Sequence, residues 1–181
     1  PSVPLAVGRS ISMELNAKLQ LQALALGAEP TYLHPDEALL LVAYLKGNAH
    51  PPQPEGEWAE WLSSLRVWTQ NGKTVRRVRM LPEPLSIYVN CELDWGYPLN
   101  VEAGESIRTI LKPEVLALAG RVPPDFWLFD SRRVAIMRYS EEGKWLGADV
   151  LDSDEEKYIR LAKVLWDVAA KLDYPHGITK S

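Results

Sequence analysis

At 181 residues the chain is long enough to bury one sizeable core and short for two. Its 46% hydrophobic and 24% charged content excludes wholesale disorder, and a net charge of -4 excludes a generic polyanion binder, which carries a basic excess. The one cysteine, Cys91, excludes an internal disulfide framework and any multi-cysteine metal site.

The predicted elements begin after a proline-bearing, aperiodic start at residues 1–10, expected to be flexible. Met13 to Leu26 is rich in Leu, Ala, Gln and Lys, and Leu15, Leu19, Ala23 and Leu26 form one stripe, so a helix is expected there. Leu21 and Leu24 fall off that stripe, which makes this helix a candidate homodimer interface. A second helix follows Pro35, with Asp36 and Glu37 complementing its positive end and Leu40, Leu41, Tyr44 and Leu45 on its apolar face. A stiff connector, His50-Pro51-Pro52-Gln53-Pro54, leads to a third helix over Glu55 to Gln70. Trp58, Trp61, Leu62, Leu65 and Trp68 recur there at helical spacing. Such a stripe serves either as a base-stacking platform or as a helix face packed on a sheet.

Thr74 to Leu81 alternates as a strand does, with Arg77 and Arg79 on one face and Arg76, Val78 and Met80 on the other. Pro82 and Pro84 end it, a short helix is expected over Leu85 to Leu93, and Asp94 to Pro98 reads as a turn. A second strand, Ser106 to Leu111, follows Asn100-Val101-Glu102-Ala103-Gly104-Glu105. One or two helical turns over Pro113 to Ala119 precede three strands, Phe126 to Asp130, Arg133 to Tyr139 and Lys144 to Leu151. Short polar turns separate the three, which predicts an antiparallel meander. The last helix has capping-box spacing at Ser153 and Glu156, then Tyr158, Leu161, Ala162, Leu165, Val168, Ala169 and Leu172 on one face.

These elements predict an α+β fold: a mostly antiparallel sheet of about five strands, helices on one face, in a single domain over residues 11–175, with a flexible 176–181 tail. No apolar run reaches membrane-spanning length and no basic region precedes a hydrophobic one near the start, so a cytoplasmic protein that avoids membranes is expected.

Most signatures of catalysis are missing. The sequence holds no Gly-rich phosphate loop, no His-Glu-x-x-His and no Gly-x-Ser-x-Gly, and His34, His50 and His176 sit beside prolines in turn-like segments. Cys91 lies between Asn90 and Glu92, which offer nothing to lower its pKa, so it reads as a small buried hydrophobe. What remains is charge. Arg76, Arg77 and Arg79 leave one strand and Arg108 another, while Glu83, Glu102, Glu105 and Asp130 lie at strand ends or turns. If the two strands are neighbours, Arg77 and Arg79 face Arg108 and Glu105 across the ladder. Guanidinium groups pair in a planar fashion with phosphate or carboxylate. The cluster is then either an anion site for a nucleotide, RNA backbone or acidic partner, or an internal network fastening the 82–105 excursion to the sheet. A third reading makes Glu105 and Asp130 acid, base or metal ligands of a small enzyme acting on a nucleotide or nucleic acid. The candidate contact residues are Arg77, Arg79, Tyr88, Asn100, Glu105, Arg108, Trp127 and Asp130; no cofactor and no metal is expected.

Arg77-Val78-Arg79, Pro84-Leu85-Ser86-x-Tyr88, Asn100-x-x-Ala103-Gly104-Glu105-x-Ile107-Arg108 and Phe126-Trp127-Leu128-Phe129-Asp130, taken in order, resemble the signature of an actinobacterial family catalogued as a domain of unknown function. The similarity runs from about Tyr32 to Tyr174. Where the family tends to show an Arg-Leu-Glu element, this chain has Ala25-Leu26-Gly27-Ala28-Glu29. The resemblance implies a small cytoplasmic protein, often encoded beside helix-turn-helix regulators of the Xre type, and therefore a regulatory or toxin–antitoxin-like partner role. It brings no activity with it.

Overall fold

A computed structural model describes residues 9–14, 35–140, 145–153 and 155–172. Strand β1 (Arg9–Glu14) is followed by helices α1 (Pro35–Leu45) and α2 (Gly56–Gln70), then strand β2 (Thr74–Leu81). The excursion after β2 holds α3 (Ile87–Cys91), a π-helical turn (Glu92–Gly96) and α4 (Tyr97–Glu102). Strand β3 (Ser106–Leu111) and helix α5 (Lys112–Ala119) come next, then strands β4 (Phe126–Phe129), β5 (Arg133–Tyr139) and β6 (Trp145–Val150). Helix α6 (Glu155–Val168) and a short strand β7 (Ala170–Lys171) close the described chain.

The fold is α+β, and among the described residues the sheet has seven strands, ordered β6-β5-β4-β1-β2-β3-β7. The expected count of about five was low because β1 and β7 were not anticipated. The meander β4-β5-β6 is antiparallel as expected, and so are β1–β4 and β3–β7. The two arginine-bearing strands depart from this pattern, since β1–β2 and β2–β3 are parallel.

Strand β1 corrects the reading of the first residues. Arg9 and Ser10, expected in a flexible start, begin a central strand, and Met13 and Glu14, expected to open a helix, end it. The alternation Ser-Ile-Ser-Met carries the strand, and Met13 is fully buried. The rest of the predicted first helix, with its candidate dimer face, lies outside the described residues, as does the predicted 176–181 tail.

Helices cover both faces of the sheet, not one, and the sequence of the central strands shows why. In β4 (Phe-Trp-Leu-Phe), Phe126 and Leu128 enter one core and Trp127 the other, all buried, so neither face can be left to water. The first core packs Met13, Val78, Met80, Ile110, Phe126, Leu128 and Val134 against Val115 of α5 and Ala162 and Leu165 of α6. The second packs Val75, Trp127 and Ala135 against Leu62, Leu65 and Trp68 of α2. The tryptophan stripe of α2 is thus a packed face, with Trp61 and Trp68 meeting edge-on at 5.8 Å. Each such side chain removed from water contributes about 1.5–3 kcal/mol. A smaller cluster joins Leu40 and Leu41 of α1 to Tyr88, Val89 and Cys91, which docks the excursion.

Candidate functional site

Register on β2 decides the site. In the parallel β2–β3 pair, Arg77 lies beside Ile107, Val78 beside Arg108 and Arg79 beside Thr109. Neighbours in register share a face, so Arg77 and Arg79 project toward the excursion while Arg108 projects through the opposite face, with Arg76. The expected meeting of Arg77 and Arg79 with Arg108 does not occur: one residue of register separates the two sides.

On the excursion side the arginines meet carboxylates. Arg77 holds Glu105 with both arms, Nε donating to Oε1 at 2.9 Å and Nη2 to Oε2 at 3.4 Å. Asn100 Nδ2 donates to the same Oε2 at 2.8 Å. Arg79 Nη2 donates to Glu92 Oε2 at 2.6 Å, and the hydroxyls of Tyr88 and Tyr97 donate to Glu92 at 3.1 and 3.3 Å. The Tyr97 ring lies 5.6 Å from the Arg77 guanidinium and the Tyr88 ring 6.0 Å from that of Arg79, so aromatic faces complete the enclosure. The Glu105 side chain is fully buried and that of Arg77 is 12% exposed. Among the described residues two guanidinium groups and two carboxylates share one network.

Local sequence explains how these groups arrive. Ser86 caps α3, its Oγ accepting from the Val89 amide at 3.1 Å. Where a turn was expected over Asp94 to Pro98, the chain continues helically through the π turn. The wider turn lets Glu92 receive Tyr88 from one side and Tyr97 from the other. The Asn100-to-Glu105 motif is a helix end: Glu105 N donates to Asn100 O at 2.9 Å and Gly104 N to Val101 O at 3.0 Å, the Schellman pair, with Gly104 at φ 108. This cap returns Glu105 alongside Asn100. It also presses Gly104 on α2, where a Cβ would stand 2.5 Å from Thr69 Oγ1.

The remaining candidates lie elsewhere. Trp127 is a core residue, stacked on Phe129 with ring centroids 5.8 Å apart and buried under α2. Asp130 occupies the β4–β5 hairpin, where it and Ser131 take positive φ (49 and 55), the pattern of a type I′ turn. It extends β4, three strand spacings from Glu105 at the start of β3, roughly 14 Å in the sheet direction. Glu105 and Asp130 therefore form no acid–base pair. Arg108 donates from Nη1 to the Trp166 carbonyl at 2.6 Å, and its guanidinium lies 4.3 Å from the Trp166 ring; Arg76 lies 5.0 Å from the same ring.

Among the described residues no group of three His, Cys, Asp or Glu is arranged to hold a metal, and no helix is long and apolar enough to cross a membrane. A groove of about 340 Å³ between α1 and the proline-rich connector, lined by Leu39, Val42 and Trp58, contains none of the candidates. Burial pushes the Cys91 thiol up to about 12, with Glu92 and Asp94 adding to the rise, so the thiol is inert at neutral pH. The Tyr44 hydroxyl is also raised to about 12, first by its 2.7 Å hydrogen bond to Asp94.

Sequence reasoning missed Glu92, Tyr97 and Trp166. Glu92 carried a signal, its i+4 spacing from Tyr88; Tyr97 depends on the π turn and Trp166 on the docking of α6, neither of which leaves a local mark.

Residues 13–174 match the family model described as Domain of unknown function (DUF6879), and the chain belongs to that family. No curated protein and no solved structure matches it.

Proposed function

We propose that this member of the DUF6879 family is a non-catalytic accessory protein of regulatory type, acting in the cytoplasm, that presents the 82–105 excursion to a protein partner. The reading rests on the closed network. A carboxylate gripped by a two-armed arginine and an amide is a poor base and a poor metal ligand, but it fixes the shape of the segment that carries it. Arg77, Arg79, Glu92, Glu105, Asn100, Tyr88 and Tyr97 hold the excursion on the sheet as a rigid element.

The contact surface is the outer side of that element. Leu85 and Ile87 stand 41% and 43% exposed on either side of the Ser86 cap, an apolar pair at a helix entrance that the network keeps in one position. The resemblance implies a helix-turn-helix regulator as the first partner to test. Co-purification of a tagged chain with a helix-turn-helix regulator of the Xre type carries the test. Leu85→Asp with Ile87→Asp is expected to abolish co-purification and leave the melting temperature unchanged. Retention of the partner by that double variant sinks the proposal.

A further inference from the structure

On the other face of the sheet two guanidinium groups lie against one indole ring. Arg76 is exposed, Arg108 is half-buried, and both lie against the half-buried Trp166 at 5.0 and 4.3 Å from its ring. Their carbons are therefore within about 9 Å of one another, the most that two contacts with one ring allow. Among the described residues neither is ion-paired. The contrast with Arg77 and Arg79, one residue away in parity, is complete: there each cation has its own anion.

Like charges repel, so holding two guanidinium groups at one ring costs free energy unless something opposes it. The indole face supplies part of that, and the Trp166 carbonyl fixes the direction of Arg108 through Nη1. An anion accepting from both arginines would use their remaining N–H groups. A tetrahedral phosphate accepting from two guanidinium groups sets their carbons about 8 Å apart or less, which the ring contacts accommodate. A planar carboxylate satisfies one fork well; a phosphate dianion, with three free oxygens, satisfies two.

We infer that Arg76 and Arg108, ordered by Trp166, form a binding site for a phosphomonoester dianion. Ser106, exposed and level with Arg76 in the β2–β3 register, stands at the rim of the site. This inference is independent of the partner role assigned to the excursion, because the two surfaces lie on opposite faces of the sheet.

The test is a titration of the full chain, followed through the arginine Nε–H resonances by NMR. Inorganic phosphate, O-phosphoserine and adenosine monophosphate serve as three separate arms, with chloride at matched ionic strength as the blank. Saturable movement of the Arg76 and Arg108 signals is expected in at least one phosphate arm. Which arm binds tightest identifies the carrier of the phosphate: free anion, amino acid or nucleotide. Arg76→Gln, a surface change, is expected to weaken binding about tenfold or more without altering the fold. Arg108→Lys is expected to weaken it while keeping the charge, because the planar fork is lost. Movement that never saturates in any arm, or binding that Arg76→Gln leaves intact, overturns the inference.

Discussion

Arg76 and Arg77 are neighbours in sequence and strangers in environment. Arg77 is closed against Glu105 beneath the Tyr97 ring, while Arg76 is exposed and leans on Trp166 across the sheet. Arg79 and Arg108 repeat the contrast: the first is bound to Glu92, the second to a ring and a carbonyl. Four arginines of similar sequence context thus divide by strand parity into a neutralised pair and an open pair. An arginine-rich segment has no function as a segment. Its meaning lies in the face each residue takes and in whether a carboxylate has been brought to that face.

The largest way to break the contrast is to strip the closed side of one partner. Arg79→Ala removes the 2.6 Å ion pair to the half-buried Glu92, which is expected to cost about 3 kcal/mol of folding stability in urea titration. Replacing both members, Arg79→Met with Glu92→Leu, is expected to regain most of that loss, since no charge is left stranded. Should the double variant be no better than Arg79→Ala, the network is held by its tyrosines and not by charge pairing.

A smaller effect tests how the carboxylate is delivered. Gly104→Ala meets two obstacles, a φ of 108 and a Cβ lodged 2.5 Å from Thr69 Oγ1. Together they are expected to cost about 2–3 kcal/mol. Thr69→Ser in the same chain removes one of the atoms in the way and is expected to return part of it. A loss unaffected by position 69 would assign the whole cost to the backbone.

Much of this architecture was legible in the residues themselves. The stripe Trp58, Trp61, Leu62, Leu65, Trp68 gave α2, the polar turns gave the meander, and the alternation of β2 placed Arg77 and Arg79 apart from Arg76. Those features are local, set by a period of 3.6 or 2. Arg108 was misplaced because its face depends on how β3 aligns with β2, and 24 residues of excursion (82–105) intervene between those strands. A slip of one residue there reverses every side chain, and no local pattern fixes it. Strand β1 was hidden for a related reason. Ser-Ile-Ser-Met alternates, but it is short, abuts a run of strong helix formers, and is stabilised by pairing with β2 and β4, which are distant in the chain. The Asn100-to-Glu105 motif was visible, yet its sense as a cap that returns a carboxylate to Arg77 needed the helix before it.

The smallest effects belong to the open side, and they separate its two arginines. Arg108→Ala removes a charged hydrogen bond to a carbonyl in the last turn of α6 and a ring contact, which together are expected to lower stability by about 1–2 kcal/mol. The damage is expected to concentrate where α6 hands over to β7, so hydrogen exchange at Ala170 and Leu172 is expected to accelerate more than exchange in β4. Arg76→Ala loses only a solvent-facing ring contact and is expected to stay within about 0.5 kcal/mol of the parent. Equal losses from the two substitutions would mean that Trp166 needs both cations for its own packing, and the open side would then be as structural as the closed one. A near-neutral Arg76 means that folding stability is not what holds its guanidinium at the ring, the result that the phosphate site requires.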